Sequence, residues 1–235
     1  MAYSALTGRY TVRGMSNSGF KRSLYAFYVA ILPLMICSGM VYSILALYIS
    51  DLGASKTEIG LIYMTGSAMG AIFSPIIGRL SDRVGRKPFM LMSMVGFTGA
   101  FFAYSVIDKS LYAFPIQALE GATWATMGTV ATAYIADITP ENQRGWAMGM
   151  YERMWFLGWI VGPVLGGYLA DTIGFRTAFI VGSILTVAGL IILSFKVKEK
   201  PRDYSSPPAS AAQSSQRKEP LTSTSDSDHW PQDSQ

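Results

Sequence analysis

Residues 78–87 read GRLSDRVGRK, and residues 166–176 read GGYLADTIGFR. The first stretch wedges Arg79, Arg83, Arg86 and Lys87 around Asp82, between two segments almost free of charge. Laid on the second, Gly78, Leu80, Asp82 and Gly85 match Gly167, Leu169, Asp171 and Gly174, while most of the basic residues drop out. The echo extends upstream. SPIIGRLSDRVGRK at 74–87 lines up with GPVLGGYLADTIGFR at 162–176, pairing Pro75 with Pro163 and Gly78 with Gly166 before a one-residue slip. YISD at 48–51 returns as YIAD at 134–137, each closing a long apolar run. The chain therefore reads as one three-helix unit written twice. An odd number of spans duplicated in tandem inserts the second copy upside down, which gives inverted repeats.

Half of the 235 residues are hydrophobic and only 14% are charged. The apolar residues gather in six segments: 24–49, 59–78, 89–107, 111–135, 146–170 and 177–195. A bilayer crossing needs about 20 apolar residues. The alternation of polar and apolar faces expected of a soluble helix is missing from these lengths. The expected fold class is an all-α membrane protein of six transmembrane helices. Its organisation is a basic N-terminal tail at 1–23, a helical domain at 24–195 and a disordered tail at 196–235. That last segment is rich in serine, proline and charge and cannot bury a core.

The basic residues set an expected orientation. Arg9, Arg13, Lys21, Arg22, Arg79, Arg83, Arg86, Lys87, Arg144 and the cluster from Lys196 to Lys218 fall on one side; Lys56, Lys109 and Arg176 fall on the other. Lysine and arginine collect in the cytoplasm, so both termini are expected there, in the cell membrane. This asymmetry accounts for the pI near 9.1 without a nucleic-acid partner. The single cysteine, Cys37, lies within the first span and allows no intramolecular disulfide; the single histidine, His229, lies in the C-terminal tail.

Nothing in the sequence has the pattern of covalent catalysis, a metal site or a cofactor cradle, so no enzyme activity, metal or cofactor is expected. Charges at membrane depth are costly and commonly mark a path. Those within the spans are Glu120 and the adjacent Glu152 and Arg153, the latter two expected to be buried in a structural or path-lining role. Gln117, Glu120, Gly121 and Trp124 recur at steps of three and four, sharing one helix face. Their alternative readings are a cavity lining and ordinary interhelix packing. Gly158, Gly162 and Gly166 repeat every fourth residue, as do Gly66, Gly70, Ser74 and Gly78; such small-residue stripes let helix backbones approach closely.

These residues resemble one family. GRLSDRVGRK is similar to the loop between the second and third helices of the major facilitator superfamily. DITPENQRG at 137–145, with Asp137 and Arg144, resembles its Asp-x-x-Pro-x-x-x-Arg-Gly segment. GWIVGPVLGG at 158–167, with Gly158, Gly162, Pro163, Gly166 and Gly167, resembles the fifth-helix element associated with exporters. GFRTAF at 174–179 resembles the entry to the sixth helix. In QALEG at 117–121, Gln117 stands where the family usually has arginine. Members normally have twelve spans, and the resemblance covers one six-helix half. It implies a secondary transporter of a small solute, an exporter working by alternating access. A second six-helix chain or a copy of this one would complete the transporter in the lipid bilayer. It also implies a gate in which Asp82, Arg83 and Arg86 engage Asp137. The alternative is a non-transporting membrane protein, truncated or acting in regulation or assembly.

Overall fold

A computed structural model describes residues 17–197. The expectations for the tails, including the disorder of the C-terminal segment and the place of His229, lie largely outside these residues. Six long helices run in sequence: α1 (Asn17–Asp51), α2 (Lys56–Val84), α3 (Arg86–Val106), α4 (Ala113–Ile138), α5 (Arg144–Ile173) and α6 (Phe175–Lys196). Five of them are long and apolar enough to cross a membrane. The sixth, α4, has the least apolar stretch of the set and matches the expected span at 111–135 in place and length. At 26 residues it is long enough, about 39 Å at 1.5 Å per residue. Its apolarity is diluted by Gln117, Glu120 and threonines at 123, 126, 129 and 132. The hydroxyls of Thr123, Thr126 and Thr132 are satisfied by carbonyls of their own helix.

Neighbouring helices follow the duplication. In the described residues α1 packs on α5 and α6, α4 packs on α2 and α3, and α3 packs on α6. Exchanging α1 with α4, α2 with α5 and α3 with α6 leaves that list unchanged, as inverted repeats require. The small-residue stripes make the two closest pairs. A Cβ placed on Gly158, Gly162 or Gly166 would run into the α1 backbone at Met35, Ile36 or Met40. In the other repeat, a Cβ on Gly121 would run into the backbone of Gly66 on α2, and Ser74 hydrogen-bonds Thr129 at 3.0 Å. Gly167 has no neighbour in that sense and Pro163 is half-buried, so only part of the fifth-helix motif packs. Helices α2 and α5 continue past Pro75 and Pro163.

The opening stretches explain the two tightest connections. Gly85 alone joins α2 to α3, with φ 120° and ψ 161°; Gly174 alone joins α5 to α6, with φ 84° and ψ 158°. Each N–H donates to the residue four back, Gly85 to Ser81 and Gly174 to Ala170, both at 3.1 Å. That backbone region is essentially open to glycine alone, and a side chain there costs about 1–3 kcal/mol. Gly174→Ala is therefore expected to lower the melting temperature of the detergent-solubilised chain, whereas Gly167→Ala, helical and unobstructed, is expected to be neutral or stabilising. Equal effects at the two positions would contradict this account of the connection.

At the opposite end of the bundle from Gly85, Ser55 caps α2 by accepting the Glu58 N–H at 3.2 Å. The Glu58 carboxylate in turn accepts from Ser110 at 2.7 Å, tying the α1–α2 turn to the α3–α4 turn.

Candidate functional site

Helix α2 turns Tyr63, Gly66, Ser67, Gly70, Ala71 and Ser74 to one side, spaced as a single helical face. Together with parts of α1, α4 and α5 they line a cavity of about 590 Å³. Its distinguishing feature is aromatic. Tyr42 on α1 contacts Trp124 on α4 and Trp159 on α5, with ring centroids 6.5 Å and 6.1 Å apart. Trp155 closes the circuit, 5.7 Å from Trp124 and 5.6 Å from Trp159, and Tyr63 adds a further ring 6.2 Å from Tyr42. Phe97 on α3 supports Trp124 from behind at 5.1 Å. None of the lining residues carries a formal charge, and Ser67 and Ala71 on α2 are exposed.

Gln117, Gly121 and Trp124 line this cavity. Glu120 does not. Three residues fall about 60° short of a full turn, which carries Glu120 past Gln117 and towards α3, where it is fully buried. There the Tyr104 hydroxyl lies 2.6 Å from Gln117 Oε1 and 3.1 Å from Glu120 Oε2. The other carboxyl oxygen, Oε1, makes no hydrogen bond among the described residues. Gln117 thus occupies two places at once, bonded behind to Tyr104 and facing the cavity in front.

Glu152 and Arg153, expected as buried charges, are both exposed on α5. The buried stripe of that helix runs through Ala147, Tyr151, Gly158, Gly162 and Gly166 against α1. At 100° per residue Glu152 turns to the side of that stripe and Arg153 to its back, where among the described residues Arg153 reaches Met150 Sδ at 3.5 Å.

The charged end gathers around Arg86, in the first turn of α3. Its guanidinium pairs with Asp82 at 2.5 Å and Asp137 at 3.1 Å, and donates to Ser81 Oγ at 2.7 Å. One side chain thereby joins the ends of α2 and α4. Arg83 is exposed on the last turn of α2, Gly78 packs near Thr129, and Arg144 makes a long 3.8 Å pair with Glu141. Arg86→Ala removes the guanidinium that Asp82 and Asp137 share. Exposed pairs are worth about 0–1 kcal/mol, so a melting shift of a few degrees is expected, reversed in part by Asp82→Asn.

Sequence reasoning missed a second set of contacts. Lys87 Nζ donates to the carbonyl of Ser194 near the end of α6, at 2.7 Å. Arg176, which the duplication aligns with Lys87, donates to the carbonyl of Ile107 at the end of α3, at 3.0 Å. The Tyr48 hydroxyl donates to that same carbonyl. Each repeat thus uses a basic residue at a helix start to cap the other repeat's helix end. The alignment contained this signal, since Lys87 and Arg176 both fall two residues after the paired glycines. The aromatic circuit was legible only in part, because Tyr42, Tyr63, Trp155 and Trp159 come from three helices whose facing is a tertiary matter.

The family model described as the Major Facilitator Superfamily matches residues 27–227. The multidrug resistance protein MdtG of Dickeya zeae is 30% identical over 186 residues, covering 77% of this chain and 45% of that protein. The class B tetracycline resistance protein of Escherichia coli is 29% identical over 164 residues, covering 68% of this chain and 40% of that protein. Among solved structures, a bacterial homologue of the human lysosomal transporter Spinster superposes with a TM-score of 0.68 at 18% identity, over 83% of this chain and 46% of that one. The chain spans about half the length of the relatives it matches. With the duplicated helices, the glycine connections and the charged α2–α4 junction on the same footing, this multi-pass membrane chain belongs to the Major Facilitator Superfamily.

Proposed function

We propose that this six-helix unit is one half of a secondary transporter. It moves a small solute across the cell membrane by alternating access, in the direction of export, with a second six-helix half closing its cavity. The single observation that carries the reading is the aromatic cavity: a space of drug-like size, walled by α1, α2, α4 and α5, with exposed residues on α2 at its rim. Pockets of this size and apolar character are the usual places for small ligands. The likeness to drug-resistance proteins, among them the multi-drug resistance efflux pump PmrA of Streptococcus pneumoniae, supports the direction. The termini and the Arg86 junction face the cytoplasm, following the distribution of lysine and arginine. Breaking and remaking of the Asp82–Arg86–Asp137 contacts accompanies the rocking of the halves.

The test is thiol accessibility. In a Cys37→Ala background, a cysteine introduced by Ser67→Cys on the cavity wall is exposed to a membrane-impermeant reagent in membranes containing both halves. Labelling from each face in turn, shifted by solute, is the expected result. Labelling confined to one face under every condition would overturn alternating access.

A further inference from the structure

Tyr104 presents one hydroxyl proton to two acceptors. It lies 2.6 Å from Gln117 Oε1 and 3.1 Å from Glu120 Oε2, and a phenol has a single proton to donate. If Tyr104 donates to Gln117, the Glu120 contact is a hydrogen bond only when Oε2 carries a proton and donates it to the Tyr104 oxygen. Oε1, which makes no hydrogen bond among the described residues, fits the carbonyl oxygen of such a neutral carboxyl. In the ionised form the same oxygen needs a donor, and the Tyr42 hydroxyl faces the carboxyl. In this arrangement Gln117 turns its Nε2 away from Tyr104 and against Gly66, a residue of the cavity wall.

A second arrangement satisfies the same three side chains. With the Gln117 amide turned over, Nε2 donates to Tyr104, Tyr104 donates to an ionised Glu120, and Gln117 offers Oε1 to the cavity. We propose that Glu120, Tyr104 and Gln117 form a two-state relay, in which loss of a proton from Glu120 to water converts the cavity-facing end of Gln117 from an N–H donor to a carbonyl acceptor. Glu120 never touches the solute. It acts through Tyr104 and is a positioning residue. The groups that face its carboxyl are the hydroxyls of Tyr42 on α1, Tyr63 on α2 and Tyr104 on α3; among the described residues no charged side chain from α5 or α6 joins them. An acceptor in an aromatic wall favours a cationic or hydrogen-donating aromatic solute. Linkage then makes such a solute and the proton at Glu120 oppose each other. The relay itself is a property of the bundle; the choice of solute rests on the function proposed above.

The experiment is infrared difference spectroscopy of the full chain in lipid vesicles, titrated from acid to alkaline pH with side-chain-labelled glutamine. The Gln117 band is assigned by its loss in Gln117→Met and the carboxyl band by its loss in Glu120→Gln. The expected result is that both bands shift together with one midpoint, and that Tyr104→Phe leaves the carboxyl titrating while the Gln117 band stands still. A Gln117 band fixed throughout the wild-type titration, or one still following Glu120 in Tyr104→Phe, would overturn the relay. So would a Glu120 carboxyl that never changes state.

Tetraphenylphosphonium, read by quenching of tryptophan fluorescence, probes the solute side. Its affinity is expected to rise about tenfold from acid to alkaline pH in the wild type, within the usual range of coupling, and to lose that dependence in Tyr104→Phe while binding persists. A pH-independent affinity in the wild type would overturn the link to the solute. Neither readout involves flux, so a chain that relays but does not transport counts against the transport reading alone.

Discussion

Gly158→Val is expected to abolish recovery of the chain as a monodisperse membrane protein. The substituted Cβ would fall within van der Waals contact of the Met35 backbone on α1, and neither helix has a flexible side chain there to yield. Overpacking against side chains typically costs about 1–3 kcal/mol; against backbone the two helices must separate, and the contacts of the whole α1–α5 pair go with them. Without a hydrophobic drive between helices in lipid, close packing of this kind holds the pair together. Gly121→Val is expected to do the same to α2 and α4, where the obstacle is the Gly66 backbone. Gly149→Val, also on α5 but exposed and with no neighbour within reach, is the control and is expected to behave as wild type. Size-exclusion chromatography and thermal unfolding in detergent give the answer. A Gly158→Val chain that elutes as wild type and melts within about 2 °C of it would mean that the α1–α5 approach is not what fixes the bundle.

Lys87→Met and Arg176→Met are expected to destabilise the chain by similar amounts and additively. Each basic side chain donates to a carbonyl near the end of the other helix, where the backbone lacks an internal partner and the helix dipole is negative. A hydrogen bond to a charged group is worth about 1.5–3 kcal/mol when shielded and less when exposed. The partly exposed Lys87 contact should therefore fall at or below the low end of that range. The two sites lie at opposite ends of α3, about 30 Å apart at helical rise, beyond the range where stability effects interact. The double variant should melt lower than either single one by the sum of their shifts. Strong coupling between the two would mean that the ends of α3 and α6 are not independent clamps. An unaltered melting temperature in both would mean that the caps carry no stability.

The two paired stretches made the architecture legible before any coordinates. Their glycines align because one backbone conformation, closed to other residues, is needed at each single-residue connection; Gly85 and Gly174 both adopt it. The basic residues need not align on the same ground, and Arg86 has no counterpart beyond Phe175. Lys87 and Arg176 do align, and their common task is visible only once α3 and α6 are side by side. At the candidate site, spacing alone put Gln117, Gly121 and Trp124 on one face, which they share. It put Glu120 there too, since a face defined by steps of three and four is wider than the cavity it meets. Glu152 and Arg153 were misread for a related reason: position along a helix gives depth in the membrane, but not which side of the helix a neighbour covers. The polar groups that dilute the apolarity of α4 include Gln117, part of the inner wall of the site.

The proposed role of the bundle as one half of a transporter is tested by solute flux in sealed vesicles. Purified chain is reconstituted alone and together with a second six-helix half, and uptake of an aromatic solute such as tetraphenylphosphonium is followed under an imposed proton gradient. The expected result is flux above empty vesicles only where two six-helix units assemble. Ser67→Phe, which fills the cavity from an exposed position on α2, should reduce that flux at least tenfold. Transport at empty-vesicle levels in every assembled combination, or flux unaffected by the filled cavity, would contradict it.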